Sequence, residues 1–378
     1  MTAVSAIERL AWHYQHPFAQ AMERAGKGIP VAGMTSSTVP WELLRAAGFF
    51  PLMLNPPSGP APFATRFMEE GVFGSRIRGI FDGLATGAWP FLQMVVIPRT
   101  SEQEHKLYLY LREMARQGFA TALPDLYLYN LLHARSREAE AYGLERTYDF
   151  KKHLEDQIGR CIEPGDLARV IEESNRAFRA IRSLLDLRRS AEPRVTGTEA
   201  LELVGAVYFM GRAEYALLAD EAMTELSRRP PVLGARILIK GSPLHHTGLH
   251  RAIEAHRAVV VAEDDWWCSR SLGNEIVTQR DMVRSIFEMY YADAPSPRVF
   301  PRDVADAWFL AEAAKVDGAV FYLPPEDDVL GWDYPRLRRT LDQRGIPSLL
   351  VREDAADELS SECHQRIEEF ICAISIRS

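Results

Sequence analysis

The stretch that most constrains this chain runs from Arg236 to Arg270 and has the pattern strand, turn, helix, strand, loop. The short apolar run from Ile237 to Ile239 is broken at Gly241-Ser242-Pro243, and a helical segment follows. The second apolar run, Ala258 to Ala262, is continuous, as expected of a strand that is covered on both faces. Together these segments predict one βαβ unit of a parallel sheet. Such sheets bind ligands at the carboxyl ends of their strands.

Strands and helices alternate in the same way in the N-terminal part of the chain and in the remainder of its C-terminal part. This alternation predicts parallel sheets. The middle differs because its patterns are almost all helical. We therefore predict an α/β protein with an N-terminal α/β lobe (residues 1–135), a helical connecting layer (136–230) and a C-terminal α/β lobe (231–378). In the first lobe, the last strand is predicted at Phe119 to Leu123.

Composition excludes several classes of partner. The formal net charge is -8 and the chain has no basic block, which argues against nucleic acid and against anionic membrane surfaces. No apolar run approaches the roughly 20 residues of a membrane span. The first residues lack the basic-then-apolar order of a signal peptide, so we expect a cytoplasmic protein.

Four cysteines, Cys161, Cys268, Cys363 and Cys372, lie far apart in the sequence. No pair has C-x-x-C spacing, which excludes a thioredoxin motif and a zinc ribbon. His246 and His250 are four residues apart, as two metal ligands on one helix face would be, but no carboxylate accompanies them as in H-E-x-x-H, and a polar helix face is the favoured explanation. We predict no metal site from these residues.

Several motifs, in order, resemble one family. Val39-Pro40-Trp41-Glu42-Leu43-Leu44 with Ala46-Ala47-Gly48 is similar to its opening motif. Lys240-Gly241-Ser242-Pro243 is followed about 20 residues later by Val260-Val261-Ala262-Glu263-Asp264, and Gly331-Trp332-Asp333-Tyr334-Pro335 precedes Gly345-Ile346-Pro347. The set resembles the subunits of 2-hydroxyacyl-CoA dehydratases and benzoyl-CoA reductases, and the last motifs resemble the benzoyl-CoA reductase side.

The resemblance implies two flavodoxin-like (Rossmann-like) lobes, a related partner subunit, and a [4Fe–4S] cluster between the lobes that passes electrons to an acyl-CoA thioester. This sequence departs from the family at the cluster. The positions that match the family's thiolates are Gly74, Ser101 and Leu323, and none is a cysteine. Because such clusters are held mainly by three or four thiolates, we predict that this chain binds no cofactor and that a partner subunit holds any [4Fe–4S] cluster.

Two loops are candidate substrate-binding elements. Glu263, Asp264, Trp266 and Trp267 follow the second strand of the opening unit, where they either line a ligand site or form a solvated loop whose indoles pack between lobes. Gly241, Ser242 and Pro243 either bind an anion or cap a helix. In addition, Arg78 and Lys240 are candidates for the phosphates of CoA, with ordinary surface charge as the alternative. The sequence identifies no catalytic residue.

Three functions remain open at this point. The chain is a cluster-lacking partner of a homologous cluster-bearing subunit in an acyl-CoA reductase or dehydratase complex. Alternatively, it binds an acyl-CoA thioester by itself as a non-redox homodimer, or it is a non-catalytic scaffold with the same fold. The absent cysteines separate all three from the ordinary redox enzyme but do not separate them from one another.

Overall fold

The computed structural model describes residues 4–56, 59–69, 71–265, 267, 275–278, 280–292, 299–354 and 359–375. The first sheet consists of four parallel strands in the order β2-β1-β3-β4. These strands are β1 (Val31–Met34), β2 (Phe50–Met53), β3 (Leu92–Pro98) and β4 (Asp125–Tyr129).

The second sheet repeats this topology, with four parallel strands in the order β6-β5-β7-β8. Its strands are β5 (Ala235–Gly241), β6 (Ala258–Asp264), β7 (Gly318–Tyr322) and β8 (Ser348–Val351). In each sheet the first strand of the lobe lies inside and the second lies at an edge. The prediction of an α/β fold with two flavodoxin-like lobes is confirmed.

The helices of the N-terminal lobe precede its first strand or connect its strands, and α1 packs against the connecting helices. They are α1 (Ala6–Gln15), α2 (Ala19–Gly26), α3 (Trp41–Ala46), α4 (Pro62–Thr65), α5 (Ser75–Ala85) and α6 (Glu102–Arg116). The predicted strand at Phe119 to Leu123 is wrong, because that segment forms turns after α6 and the strand begins at Asp125. The hydrophobic run Leu126 to Tyr129 was the usable signal for β4, although only Tyr129 of this edge strand is fully buried.

The middle of the chain is helical, as expected, and is followed by the helices of the C-terminal lobe. The connecting helices are α7 (Arg137–Ile158), α8 (Pro164–Arg189), α9 (Gly197–Gly205), a 3-10 turn (Ala206–Tyr208) and α10 (Arg212–Leu226). The later ones are α11 (Gly248–Glu254), α12 (Met282–Ala292), α13 (Arg302–Ala313), α14 (Asp328–Gln343) and α15 (Ser361–Ser375).

The two sheets are buried in different ways. One continuous hydrophobic core joins the first sheet to the connecting helices and also takes in Trp267 and the buried face of α12. The second sheet has a separate core on each face, one beneath α11 and α15 and one beneath α13 and α14. Within the described residues, no helix is long and apolar enough to cross a membrane.

Candidate functional site

The carboxyl edges of the two sheets face each other across a cavity of about 360 Å³. The N-terminal lobe contributes the first turns of α5 and α6 to its wall. The C-terminal lobe contributes the ends of β5, β6 and β7 and the first turns of α13 and α14. This is the position at which open parallel sheets bind ligands, and the cavity volume falls within the range of about 300–1,000 Å³ that is usual for small-molecule sites.

Five of the predicted site residues line this cavity: Lys240, Gly241, Ser242, Pro243 and Asp264. Lys240 and Asp264 are both buried, and the ammonium group of Lys240 donates a hydrogen bond to the carboxylate of Asp264 at 2.5 Å. Ser242 donates to Asp327, which also caps α14 by accepting from the amide of Leu330 at 3.1 Å. The polar side chains that line the cavity at the edge of the C-terminal sheet are therefore hydrogen-bonded to each other.

Gly241 is required by a close approach between strands. A Cβ at this position would lie 1.8 Å from the carbonyl oxygen of Tyr322 on the neighbouring strand. Any side chain would push β5 away from β7 at the wall of the cavity. The glycine that was predicted to approach an anion is thus explained by strand packing at the same site.

Glu263 does not line the cavity. It points behind the sheet, where Arg188 of α8 donates two hydrogen bonds to it at 2.6 and 2.7 Å, and His250 lies at 2.8 Å. Burial by itself raises the pKa of Glu263, but Arg188 and His250 together hold it well below its usual range. This carboxylate joins the C-terminal sheet to the connecting helices. His250 is part of the same buried contact.

Trp267 is fully buried and lies beneath the cavity. Its indole contacts Tyr208 and Phe209 and donates a hydrogen bond to the hydroxyl of Tyr14 at 3.2 Å. Trp266 lies outside the described residues. Arg78 is not among the lining residues, since it turns toward α4 and donates to Thr65 at 2.8 Å.

The N-terminal wall contains two buried charged side chains, Arg76 and Glu104. Arg76 donates to the carbonyl oxygens of Thr35 and Leu54 at 2.8 and 2.6 Å, and burial lowers its pKa to about 10. Glu104 accepts from the Thr35 hydroxyl at 2.8 Å, and burial raises its pKa. Sequence reasoning missed Glu104, although its place three residues after Ser101 in a capping box was a usable signal.

The three positions that were predicted to match the family's thiolates lie at this cavity or next to it. Gly74 and Ser101 line it at the starts of α5 and α6. Leu323 directly follows β7, but its side chain is buried in the core beneath α13 and α14. The space beside Gly74 is filled from the other lobe, because the Oε1 atom of Glu326 lies 2.6 Å from where a Cβ of residue 74 would be.

The side chains at the cavity do not fit a cluster held by thiolates. None of the lining residues that the structure describes is a cysteine. Cys161 is exposed between α7 and α8, and both Cys363 and Cys372 lie on α15, which packs against the outer face of the C-terminal sheet. Cys268 lies outside the described residues. Three of the four thiols are thus placed where they cannot reach a common ion in the cavity.

The chain is thus a two-lobed α/β protein whose similar lobes meet at their carboxyl edges around a cavity. Comparison with known proteins then identifies the family. The family described as 2-hydroxyglutaryl-CoA dehydratase, D-component, matches residues 36–374, and this chain belongs to it. The resemblance to 2-hydroxyacyl-CoA dehydratase subunits is confirmed, and the benzoyl-CoA reductase side stays a prediction.

Two relatives are similar over nearly their whole length. One is the beta subunit of (R)-2-hydroxyglutaryl-CoA dehydratase from Acidaminococcus fermentans, which is 21% identical over 97% of this chain and 99% of its own length. The other is the beta subunit of (R)-phenyllactyl-CoA dehydratase from Clostridium sporogenes, which is 20% identical over 92% of each chain.

Proposed function

We propose that this chain is the cluster-lacking subunit of an acyl-CoA dehydratase or reductase complex of the 2-hydroxyacyl-CoA dehydratase and benzoyl-CoA reductase type. It pairs with a homologous subunit that carries the [4Fe–4S] cluster, and its interlobe cavity binds an acyl-CoA thioester. One observation carries the proposal: the lobes enclose a cavity, and the three positions predicted to match the family's thiolates are a glycine, a helix-capping serine and a core leucine. The space beside the glycine is occupied by Glu326.

The lining of the cavity suits an acyl chain with a polar end. Apolar side chains cover much of its wall: Val72, Ile77, Val299, Val329 and Leu330. Lys240 and Asp264 neutralise each other on the C-terminal side. Because an acyl-CoA is larger than the drug-sized ligands that fill cavities of about 300–1,000 Å³, we expect the acyl end to enter the cavity and the nucleotide to stay outside.

The two relatives support the choice of ligand class. Both of their names denote the CoA thioester of a 2-hydroxy acid, one aliphatic and one aromatic. They also denote beta subunits, and the word implies at least one other subunit in each enzyme. Because the sequence identity is low, the relatives do not decide among three acyl groups for the ligand of this chain: an aliphatic 2-hydroxyacyl group, an aromatic one, or benzoyl.

The absence of a cluster is tested by anaerobic purification with iron and acid-labile sulfide analysis and an absorption spectrum. We expect iron far below one cluster per chain, and a stoichiometric cluster would contradict the proposal. Co-expression with a cysteine-bearing homologue from the same genome tests the partner. A heterodimer that contains one cluster is expected. A homodimer of this chain that does not bind the co-expressed homologue would favour the stand-alone alternative.

Ligand binding is tested by thermal shift with (R)-2-hydroxyglutaryl-CoA, (R)-phenyllactyl-CoA and benzoyl-CoA. At least one should raise the Tm, since a ligand that binds the folded state stabilises it. Ser75→Trp places a large side chain in the cavity from an exposed lining position at the start of α5, and should abolish the shift. Ser361→Trp is the matched control, because Ser361 is the exposed first residue of α15 and does not line the cavity. No shift with any thioester would refute acyl-CoA binding by this chain.

A further inference from the structure

Trp332 is a tryptophan on α14 whose side chain stands almost entirely in water. It is 86% exposed, and it makes no ring contact with any residue that the structure describes. Val329 and Pro335, which are three residues away on either side, are exposed as well, so the first turns of α14 carry an apolar patch on the surface. Exposed apolar patches on soluble proteins mark binding sites for ligands or for other proteins.

A stripe of exposed side chains connects Trp332 to the interlobe cavity. Val329 lines the cavity, and Trp332, Arg336 and Arg339 follow it on α14 after three, seven and ten residues. This spacing places the four side chains on one face of the helix, and all four are exposed, whereas the buried leucines of α14 lie on the opposite face. With a rise of 1.5 Å per residue, the α14 stripe leads about 15 Å away from the cavity.

The far end of the α14 stripe is basic, in a chain whose formal net charge is -8. Arg336 is partly neutralised, because it donates a hydrogen bond to the buried carboxylate of Asp306. Among the described residues, Arg339 bonds only to the carbonyl oxygen of Pro335, at 3.2 Å. Arg339 therefore carries most of the uncompensated charge of the stripe, and a guanidinium in this state is suited to a phosphate group.

An indole beside guanidinium groups is a combination that suits a nucleotide. Every base has a π-face that can stack on an aromatic side chain, and the phosphates form charge-assisted hydrogen bonds with arginine. An acyl-CoA carries an adenine nucleotide with three phosphate groups at the end of a flexible arm. If its acyl end lies in the cavity, the arm leaves past Val329, and a base on Trp332 has the arginines one and two turns further along the same face.

We propose that the α14 stripe binds the nucleotide end of the acyl-CoA whose acyl end occupies the interlobe cavity, with the adenine stacked on Trp332 and a phosphate group bonded to Arg339. The inference rests on the proposed function, because it requires an acyl-CoA at this cavity. It goes further by assigning a binding site to the part of the ligand that the cavity does not hold, and it does not depend on the acyl group.

The test measures the two ends of the ligand separately. For (R)-2-hydroxyglutaryl, (R)-phenyllactyl and benzoyl groups, calorimetry with the full-length chain compares the CoA thioester with the pantetheine thioester of the same acid, which lacks the nucleotide. The wild type should bind the CoA thioester at least about tenfold more tightly. Trp332→Ala should remove about tenfold of the affinity for the CoA thioester, as expected for a lost base stack, and none of the affinity for the pantetheine thioester. Trp332→Phe keeps a stacking ring and should restore most of the loss.

Each element of the proposed site has a matched control. Trp12→Ala removes another exposed tryptophan, on α1, that does not line the cavity, and should leave both affinities unchanged. Arg339→Ala should weaken binding of the CoA thioester about threefold to fivefold, as expected for an exposed charge contact. Arg338→Ala should not, because Arg338 is equally exposed but lies about 100° around the helix and off the α14 stripe.

The possible outcomes distinguish this inference from the proposed function. Equal binding of the CoA and pantetheine thioesters by the wild type would overturn the nucleotide site and leave acyl binding in the cavity intact. An unchanged affinity for the CoA thioester in a folded Trp332→Ala would do the same. If that variant instead lost association with the co-expressed homologue, the α14 stripe would be a subunit interface and the inference would be wrong. Failure of the wild type to bind any of the thioesters would refute the proposed function, and the inference with it.

Discussion

The two sheets have the same strand order and meet at the same cavity, yet their facing edges are built differently. At the edge of the N-terminal sheet, hydroxyl groups bond to each other and to a buried carboxyl group: Thr35 to Glu104 at 2.8 Å and Ser36 to Thr100 at 2.6 Å. The edge of the C-terminal sheet instead presents to the cavity one charged pair, Lys240 with Asp264, and a histidine, His245.

This difference indicates a division of roles between the lobes. The hydroxyl network closes the N-terminal edge with short side chains, and Arg76 secures it by bonding to two backbone carbonyls. The C-terminal edge presents groups that can exchange protons and hydrogen bonds with a ligand. If the division is right, substitutions behind the C-terminal edge should affect the protein most, and the two edges should respond to pH in opposite directions.

The largest effect is expected from Arg188→Met, which breaks the buried pair behind the C-terminal edge. Neither Arg188 nor Glu263 is exposed, and removal of the guanidinium leaves a carboxylate inside the fold. Such a loss costs about 3–5 kcal/mol in the free energy of unfolding, measurable by urea denaturation. Arg116→Met breaks an exposed pair with Glu113 on α6 and should cause no measurable loss. Similar losses in the two variants would mean that the buried pair does not hold the C-terminal lobe to the helices.

The next effect is expected from Gly241→Ala. In the N-terminal sheet, β1 ends in Met34 and continues into Thr35, so its edge accepts side chains. In the C-terminal sheet the added methyl group would meet the Tyr322 carbonyl, and the resulting strain should cost about 1–3 kcal/mol in unfolding free energy. Gly331→Ala is the control, since nothing lies within 4 Å of the new methyl group in α14 and the helix should gain up to about 1 kcal/mol. An unchanged Tm in Gly241→Ala would show that the strands can move apart freely.

The sequence predicted the elements whose residues carry a local signal. The run Ala258 to Ala262 lies within β6, and the break at Gly241-Ser242-Pro243 begins at the last residue of β5, as the βαβ pattern required. Both lobes and the helical middle could be predicted for the same reason, because the hydrophobic periodicity of an element and the Gly and Pro residues that end it are local properties of the sequence. The motif Gly331 to Pro335 lies inside α14, which starts at Asp328 because the side chain of Asp327 caps it there and Pro335 is tolerated within the helix.

The site could be predicted only in part, because its contacts are distant in sequence. Glu263 and Asp264 are neighbours in the chain, yet they point to opposite sides of one strand, as the alternation of side chains in a strand dictates. One bonds to Arg188, 75 residues away, and the other faces the cavity with Lys240. Both carboxylates belong to β6 and not to the loop in which they were predicted, and nothing in the local sequence indicates which of them faces the cavity.

A smaller effect is expected from the pH response of the C-terminal edge. Burial lowers the pKa of His246 to about 4, compared with about 6.5 in an unfolded chain. The unfolded state therefore binds more protons between these values, and stability should rise with pH from about 4 to 6.5. The contribution is about 1–3 kcal/mol. His246→Phe should flatten this part of a plot of unfolding free energy against pH, and an unaltered slope would contradict the assignment.

The smallest effect is expected at the N-terminal edge, and its sign is opposite. Burial raises the pKa of Glu104, so the folded state binds more protons than the unfolded state above the usual carboxyl pKa. Stability should therefore fall as the pH rises through that range, and Glu104→Gln should remove the fall. Glutamine keeps one acceptor oxygen for the Ser101 amide, and its NH2 group can donate to the Thr35 hydroxyl in a reversed hydrogen bond, so the change at low pH should be slight. If Glu104→Gln and His246→Phe change the pH dependence of the unfolding free energy in the same direction, the two edges do not differ as described. Changes in opposite directions would show that the two lobes respond to pH in opposite ways.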